Sequence, residues 1–481
     1  MKFERFTWDL YKESERGKSA IEEFATARDE AREAELEYKY NPHLAAYQRP
    51  KEQAEYYDRL WEAVFTDITD GEADTPKHAK ELYEYIVDAI AGDDGKYRDA
   101  MYDVTPLSFL LFGYQPEFFY PHLFCARIGD LYQTADVFDI PLPELPPKTA
   151  YRDRCLYYWQ LCETFRTFRN EAGLSPSELC AFLYDFAPNY IKRDTDTELP
   201  QPQQAWFVGG LFSDRATANE DKFWQTSLET RRGDLVFHYE TAPVSAITCF
   251  WRAYSDGMAD PFDYYWSFAH LSEKTDIPHI TLHELQADEY FSRHPLVRRK
   301  FMGVNGCALS NDDMQNLQRM IAAKGGDADS IPKLQTASIP NNFEIKVEKD
   351  VEENLLIPLL NSMGIDDLDY KRQIPLKIGR GERVYPDFAL HCGKTANGYT
   401  AKVLIEAKLY MANNKEREQA FLQGLSYAHL MGASVLILCD KLYIYAYDGK
   451  QGFDRSNYTR YSWDELQENP DKFNQLKTII K

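Results

Sequence analysis

The sequence predicts a multidomain α/β chain with a helical N-terminal region, a small β-barrel with helices in the middle, and a C-terminal α/β domain. Its 481 residues are too many for one ordinary hydrophobic core. Hydrophobic residues make up 44% of the chain, so each region has material for a core of its own. The hydrophobic pattern changes character twice, which places the domains at residues 1–195, 203–326 and 343–481.

Residues 1–195 are predicted to be helical. The segment 75–92 begins with Thr-Pro and ends with Gly, which are helix start and stop signals. A later stretch offers Ser175 as an N-cap, with a proline at the first helical position and a glutamate at the third. A polar, proline-bearing linker then ends the region near Pro200.

The middle region, residues 203–326, has a different pattern. Short β-branched and aromatic runs, such as AWFVGG, GDLVFHY and SAITCFW, are separated by Gly, Pro and Asp. They predict a small, strongly curved sheet or barrel. Helical segments follow, and Ser310 is expected to cap the last of them.

Residues 343–481 run in the order helix, three strands, helix, two strands. The first helix is the amphipathic stretch EKDVEENLLIPLLNSMGI, and the second is KEREQAFLQGLSYAHLMG. The strand KVLIEAKL is apolar for most of its length. This mixed order predicts an α/β sandwich around a central sheet.

The net charge of −22 is distributed unevenly. Residues 1–200 have 23 basic and 39 acidic side chains, whereas residues 336–481 have 19 and 20. Such acidity disfavours direct DNA contact by the N-terminal region, and we expect that region to bind a partner protein or to form a homo-oligomer. The nearly neutral C-terminal region is compatible with nucleic acid.

Two carboxylates and a lysine stand at predicted strand ends in the C-terminal region, where core residues are expected. Asp387 follows a proline, and Glu406 and Lys408 end an apolar run 19 residues later. Because side chains two apart on a strand leave on one face, Glu406 and Lys408 are expected together. Carboxylates suit Mg²⁺ or Mn²⁺, and the lysine can position a water and stabilise charge at a phosphate.

The P-D…E-x-K pattern formed by these residues resembles the core of the PD-(D/E)xK nucleases. Gln423 and Tyr427 match the Q-x-x-x-Y arrangement on the helix after the core strands of RecB-type nucleases and of the nuclease domain in type I restriction motor subunits. The resemblance implies a restriction-endonuclease-like fold over about 135 residues, and metal-dependent hydrolysis of phosphodiester bonds.

In that family a glutamate on the first helix completes the metal site. Glu348 matches the start of the pattern, Glu352 lies one turn later on the same face, and Glu353 is a third choice. The resemblance implies Asp387, Glu406 and Glu348 as metal ligands. The full set of expected catalytic residues is Asp387, Glu406, Lys408, Gln423, Tyr427, Glu348 and Glu352.

The middle region is similar to the EVE domain, a PUA-like fold, through Trp206 and the stretches 233–239, 260–266 and 280–306. In that family the barrel holds a flipped, modified base such as 5-methylcytosine in an aromatic pocket. The expected pocket residues are Trp206, Trp224, Tyr239, Trp251, Ser213, His238 and Asn305. The basic cluster expected near the DNA backbone is Arg298, Arg299 and Lys300.

Together these features predict a modification-dependent, type IV-like restriction or antiphage endonuclease that acts on DNA carrying modified cytosine. Two alternatives stay open. One is a nuclease of the same core directed to RNA or structured DNA, and the other is a nucleic-acid-binding adaptor whose nuclease fold is silent. The sequence has no G-x-x-x-x-G-K-[ST] motif, so translocation along DNA would need a separate ATPase partner.

The sequence predicts neither a membrane segment nor a secretion signal. It has no run of about 18 uncharged apolar residues, and charges are spread through its first 20 positions. Eight scattered cysteines lack zinc-site spacing. We therefore expect reduced thiols in a cytoplasmic protein.

Overall fold

A computed structural model describes residues 3–33, 73–92, 95–102, 104–124, 127–191, 198–210, 222–263, 266–340, 343–377, 382–395, 398–450 and 452–481. The chain forms two compact units. Unit 1 comprises Met1–Glu198, Asp221–Glu229 and Asp256–His270, and unit 2 comprises Leu199–Glu220, Thr230–Ser255 and Leu271–Lys481. Helices and sheets both contribute, which confirms the mixed α/β class.

Unit 1 is mainly helical. Its helices are α1 (Arg5–Glu13), α2 (Glu15–Glu33), α3 (Pro76–Ala91), α4 (Tyr97–Tyr102), α5 (Val104–Tyr114), α6 (Ile128–Val137), α7 (Tyr151–Ala172), α8 (Pro176–Ala181) and α9 (Ala187–Tyr190). The predicted caps are confirmed: Thr75 accepts from the N–H of His78, and Ser175 forms a capping box with Glu178. Buried aromatic rings, among them Trp8, fill the core between these helices.

Arg154 holds part of the middle region of the sequence inside unit 1. Its guanidinium is fully buried and donates to the carbonyl oxygens of Lys148 and Pro261, each at 2.8 Å, and to that of Asp263. The ring of Trp266 lies 5.1 Å from the same guanidinium. A buried charge is tolerated only when its donors are satisfied, so this contact fixes the segment that contains the short strand β5 (Met258–Ala259).

Unit 2 contains a first sheet from the middle of the chain. Its strands are β1 (Ala205–Gly210), β3 (Leu235–Glu240), β4 (Ala246–Ala253), β6 (Ser267–Thr281) and β7 (Asn305–Leu309), in the order β6-β4-β3-β1-β7. β6 begins in unit 1, where it pairs with β5 and neighbours β2 (Lys222–Gln225). Helices α10 (Leu282–Ala287), α11 (Pro295–Arg298) and α12 (Asn311–Ala323) follow, and Ser310 caps α12 as predicted.

The second sheet of unit 2 belongs to the C-terminal region and has the order β17-β16-β15-β14-β11-β8. Its strands are β8 (Tyr370–Arg372), β11 (Phe388–Leu390), β14 (Val403–Ala407), β15 (Val435–Cys439), β16 (Tyr443–Asp448) and β17 (Thr459–Ser462). Two small ribbons pair β9 (Leu376–Lys377) with β10 (Arg383–Val384), and β12 (Gly393–Thr395) with β13 (Gly398–Thr400). β14 and β15 are parallel and buried along their whole length, as expected for strands covered on both faces.

Helices cover both faces of this C-terminal sheet. One face packs against α13 (Glu348–Val351), α14 (Ile357–Ser362), α16 (Trp463–Glu468) and α17 (Pro470–Ile480). The other face packs against α15 (Asn414–Met431). Alternate residues of β14 serve the two cores, with Ile405 on the first face and Leu404 on the second.

A π-helical turn, Glu352–Leu356, joins α13 to α14. Pro358 comes just after it, and a proline cannot bond to the carbonyl four residues earlier and crowds that carbonyl. The same arrangement occurs in unit 1, where the π turn Phe182–Phe186 precedes Pro188. The wider turn therefore accommodates the proline, and it carries Glu352 on its first residue.

Candidate active site

Asp387 and Glu406 meet across two neighbouring strands. β11 and β14 are antiparallel with Phe388 opposite Ile405, which sets Asp387 beside Glu406. The backbone N–H of Asp387 donates to Glu406 Oε1 at 3.3 Å, and the N–H of Ala407 donates to Asp387 Oδ2 at 2.9 Å. Both carboxyl groups are buried. The structure thus brings together the two acidic side chains that the sequence placed at strand ends.

Lys408 follows β14 directly and reaches back over the carboxylates. Its Nζ lies 3.6 Å from Glu406 Oε2 and 3.6 Å from Glu348 Oε1, and it donates to the carbonyl of Ala407 at 2.9 Å. Burial lowers the pKa of the ammonium, but the charges of Glu406, Glu348 and Asp387 outweigh burial and raise that pKa above its ordinary value. Lys408 is therefore a cation at neutral pH, suited to stabilising negative charge.

Three carboxylates converge beside Lys408. Single oxygen atoms of Glu348, Glu352 and Asp387 all lie within 4.8 Å of one another. Glu348 and Glu352 come from successive turns of the α13 segment, as their spacing predicted. The sequence predicts Glu406 as a metal ligand together with Glu348 and Asp387. In the structure the third member of the converging group is Glu352.

The donor set fits a divalent cation of the Mg²⁺ or Mn²⁺ type. These ions take carboxylate oxygens and keep several of their waters, so two or three carboxylates suffice. Burial raises the pKa of Glu352, and the charge of Asp387 adds to that effect, while Arg372 opposes it. A cation between the three carboxylates would reduce this repulsion, so these side chains could hold a divalent metal.

Glu406 lies deeper than the three converging carboxylates. Burial raises the pKa of its carboxyl to about 8, and the neighbouring charge of Asp387 adds to the effect. Lys408 and the N–H of Asp387 act in the opposite direction. The surroundings of Glu406 thus disfavour its ionised form. Positive charge brought to the site would favour ionisation of Glu406.

Gln423 and Tyr427 lie on one face of α15, directly behind Glu406. The amide Nε2 of Gln423 is 3.2 Å from Glu406 Oε2 and 3.2 Å from the hydroxyl of Tyr427. Tyr427 is buried in the core beneath the helix. The structure therefore connects both residues to the carboxylates through Glu406.

Gly424 was missed by the sequence reasoning. A Cβ at this position would lie 2.7 Å from Leu436 Cδ1 and 3.4 Å from Glu406 Cγ. The glycine thus permits α15 to approach β14 and β15 closely enough for Gln423 to reach Glu406. A glycine in the middle of a helical pattern is the sequence signal from which such a close approach could have been predicted.

Arg372 and Gln373 were also missed. Gln373 Nε2 donates to Asp387 Oδ1 at 3.0 Å, and Arg372 pairs with Glu352 and, at 2.8 Å, with Glu353. The guanidinium of Arg372 stacks on the ring of Phe388 at 4.9 Å. Both residues orient acidic groups of the site, Arg372 from the end of the neighbouring strand β8 and Gln373 from the position just after it, and no sequence motif marks them.

The predicted pocket residues of the middle region lie mostly in its sheet. Trp206, His238, Tyr239 and Trp251 are all buried. Trp206 Nε1 donates to Asp234 Oδ2 at 2.9 Å. The ring of Tyr239 stacks on that of Phe301 with centroids 4.0 Å apart. These contacts give Trp206 and Tyr239 structural partners.

The other predicted pocket residues have different positions. Asn305 opens β7 and is half-buried, and its Oδ1 is buried without a hydrogen-bond partner. Trp224 lies on β2 in unit 1 and is half-buried. Ser213 lies outside the residues that the structure describes. An unpartnered buried oxygen such as that of Asn305 is unusual in a folded protein and is a candidate ligand contact.

The basic cluster Arg298, Arg299 and Lys300 ends α11 on the surface. Lys300 and Phe301 both adopt the left-handed conformation, with φ of 53° and 57°. Such φ values are uncommon outside glycine and concentrate at functional sites. The structure therefore presents three cations on a sharp turn, and the Phe301 of this turn stacks on Tyr239.

Within the described part of the chain, none of the helices has the length and apolar character needed to cross a membrane.

Comparison with known proteins yields no relative that assigns a function. No protein-family model matches the sequence, and no curated protein does. Two solved structures are similar to part of it. Rpa0253 from Rhodopseudomonas palustris has 14% identity and a TM-score of 0.22, and the match covers 25% of this chain and 94% of that one. Atu2648 from Agrobacterium tumefaciens has 16% identity and a TM-score of 0.22, over 27% and 98%.

Proposed function

We propose that this chain is a metal-dependent endonuclease that hydrolyses DNA phosphodiester bonds, of the modification-dependent, type IV-like restriction or antiphage class. The observation that carries the proposal is the convergence of Glu348, Glu352 and Asp387 within 4.8 Å, with Lys408 Nζ 3.6 Å from Glu348. In this proposal residues 343–481 form a PD-(D/E)xK, restriction-endonuclease-like domain, and residues 203–326 form an EVE-like, PUA-like barrel.

The metal would be held by Glu348, Glu352 and Asp387, and Glu406, which neighbours Asp387 across the sheet, would add its carboxylate on ionisation. Bound Mg²⁺ or Mn²⁺ supplies Lewis acidity at a phosphate oxygen and lowers the pKa of a coordinated water. Arg372 and Gln373 orient two of the ligands, because they bond to Glu352 and to Asp387 respectively. Gln423 does the same for Glu406.

Lys408 stabilises charge in the reaction. Its ammonium is held protonated by the surrounding carboxylates, so it donates hydrogen bonds to a phosphate oxygen or to the attacking water and does not accept a proton. In the step itself the water oxygen bonds to phosphorus, and the bond to one ester oxygen breaks. The proton of the water passes to solvent and the leaving oxygen takes one up, which gives a phosphate end and a hydroxyl end.

The middle region would choose the substrate. In this proposal the exposed cations Arg298, Arg299 and Lys300 would contact phosphates, and Asn305, whose Oδ1 has no hydrogen-bond partner, would accept from a base edge. We assign modified cytosine as the preferred base. The acidic N-terminal region would bind a partner protein or a second copy. The cytoplasm suits the seven described cysteines, which are all free thiols.

A plasmid assay tests the function. The full-length protein is incubated with Mg²⁺ or Mn²⁺ and matched plasmids that carry unmodified, 5-methyl- or 5-hydroxymethylcytosine, with EDTA as the metal-free control. We expect metal-dependent nicking or linearisation, strongest on one modified plasmid. Equal cutting of all plasmids would contradict the proposed dependence of cleavage on base modification.

The same assay with a folded RNA and a branched DNA tests the second candidate, and cutting confined to those substrates would favour it. A protein that binds nucleic acid but cuts none of these substrates would be an adaptor and would contradict the proposal.

A further inference from the structure

A cavity lies in the C-terminal region of the chain, outside the carboxylate cluster. It has a volume of about 300 Å³ and opens between the first turns of α15 and the segment before β17. Its walls include Arg417 and Phe421 from α15, Tyr447 from β16, and Arg455 and Tyr458 from the loop that follows. A cavity of this volume is in the range that holds a small ligand.

The walls combine flat aromatic rings with guanidinium groups. Tyr447 is the hub of the rings, with its centroid 4.8 Å from Phe421 and 5.5 Å from Tyr458. Arg417 stacks over Tyr458 at 4.9 Å and over Tyr445 at 5.2 Å. Rings that stack bases together with arginines that contact phosphates are the ordinary means of holding single-stranded nucleic acid.

The side chains around the cavity differ in how much of their surface is exposed to a ligand. Tyr445, Tyr447 and Phe421 are buried and support the sheet and the helix. Tyr458 and Arg417 are half-buried at the cavity. Arg455 is exposed and paired with Glu418 across the cavity. The accessible part of the pocket is thus one aromatic ring flanked by two guanidinium groups.

The pocket lies on the same face of the sheet as Glu406. Glu406 pairs in register with Leu438 of β15, and Leu438 pairs with Tyr445 of β16, so the three side chains form one row. Two strand spacings separate Glu406 from Tyr445, which is about 10 Å. A DNA strand covers that distance in a few nucleotides.

We propose that this arginine–tyrosine pocket binds a nucleotide of the substrate strand that lies a few nucleotides from the scissile phosphate. The base stacks on Tyr458, and Arg417 contacts the phosphate. The inference rests on the proposed function for the identity of the substrate, whereas nucleotide binding at the pocket is measurable without cleavage.

The test measures binding of a fluorescein-labelled single-stranded oligodeoxynucleotide to the full-length protein by anisotropy, with Ca²⁺ in place of Mg²⁺ to prevent cutting. Arg417→Ala and Tyr458→Ala are each expected to weaken binding roughly tenfold. Tyr458→Phe keeps the ring and is expected to bind like the wild type. Lys394→Ala removes an exposed cation on the β12–β13 ribbon and is the charge-matched control, with a change of about twofold or less.

Two results would overturn the pocket assignment. One is unchanged binding in Arg417→Ala and Tyr458→Ala, and the other is an equal loss in Lys394→Ala, which would indicate general charge attraction. If Tyr458→Ala melts at a lower temperature than the wild type, Arg417→Ala decides, because Arg417 is not part of the core. If the wild type cuts no plasmid but Arg417→Ala and Tyr458→Ala lose oligonucleotide binding, the pocket assignment is supported and the nuclease function is refuted. If the wild type cuts DNA and both variants bind the oligonucleotide as it does, the nuclease function is supported and the pocket assignment is refuted.

Discussion

The amide nitrogen of Gln423 lies 3.2 Å from Oε2 of Glu406, so a helix side chain fixes the most deeply buried carboxyl of the candidate active site. Gln423 also bonds to Tyr427 one turn later, which orients the amide. A buried polar group needs such a partner.

Gln423→Ala is expected to lower the cleavage rate about tenfold, because outer partners of metal ligands have effects of that order. Single-turnover cleavage at saturating Mn²⁺ measures the change. Leu422→Ala alters the exposed neighbour on the same helix and is the control. An unchanged rate in Gln423→Ala would mean that Glu406 needs no orientation.

Gly424→Ala is expected to destabilise unit 2 by about 1–3 kcal/mol, because the new Cβ would lie 2.7 Å from Leu436 Cδ1. Urea unfolding followed by tryptophan fluorescence measures the change. Gln419→Ala, on the exposed side of α15, is the control and should be nearly neutral. Equal stability of both variants would show that the helix can move away without loss.

His122→Phe should change how the stability of unit 1 depends on pH. Burial lowers the pKa of His122 from 6.5 to about 3, so the unfolded chain binds a proton that the folded chain does not. The stability that comes from the neutral imidazole is present above pH 6.5 and is lost as the pH falls toward 3, by roughly 1.4 kcal/mol per pH unit at most. The variant loses this contribution.

Asp260 has the opposite effect on the pH dependence of stability, because burial raises the pKa of its carboxyl to about 7. Its contribution is present below pH 4 and is lost as the pH rises through 7. The measurement is therefore the difference between the wild type and His122→Phe in thermal unfolding at pH 7.5 and at pH 5.5. We expect the wild type to lose more stability than the variant at the lower pH. An identical change in both would contradict a neutral, buried His122.

The positions of Asp387, Glu406, Glu348 and Glu352 could be predicted, because strand and helix periodicities determine which side chains leave on one face. Gln373 and Arg372 could not, because their contacts depend on how β8 pairs with β11, and pairing between distant segments leaves no local signal. The same reason applies to Arg154, which donates to the backbone carbonyls of Pro261 and Asp263 in unit 1. Aromatic residues in short strands serve equally well in a core or a pocket, so residue type alone could not show that Trp206 and Tyr239 have partners within the fold.

The most direct test of a metal-dependent phosphodiesterase compares Mn²⁺-dependent DNA cleavage by the wild type, Asp387→Ala, Lys408→Ala and Asp464→Ala. Asp464 is an exposed carboxylate on α16, outside the converging group, so its variant is the matched control. We expect Asp387→Ala and Lys408→Ala each to lose roughly 100-fold or more in rate, and Asp464→Ala to stay near the wild type. Cleavage that persists in both Asp387→Ala and Lys408→Ala would contradict the assignment of this site.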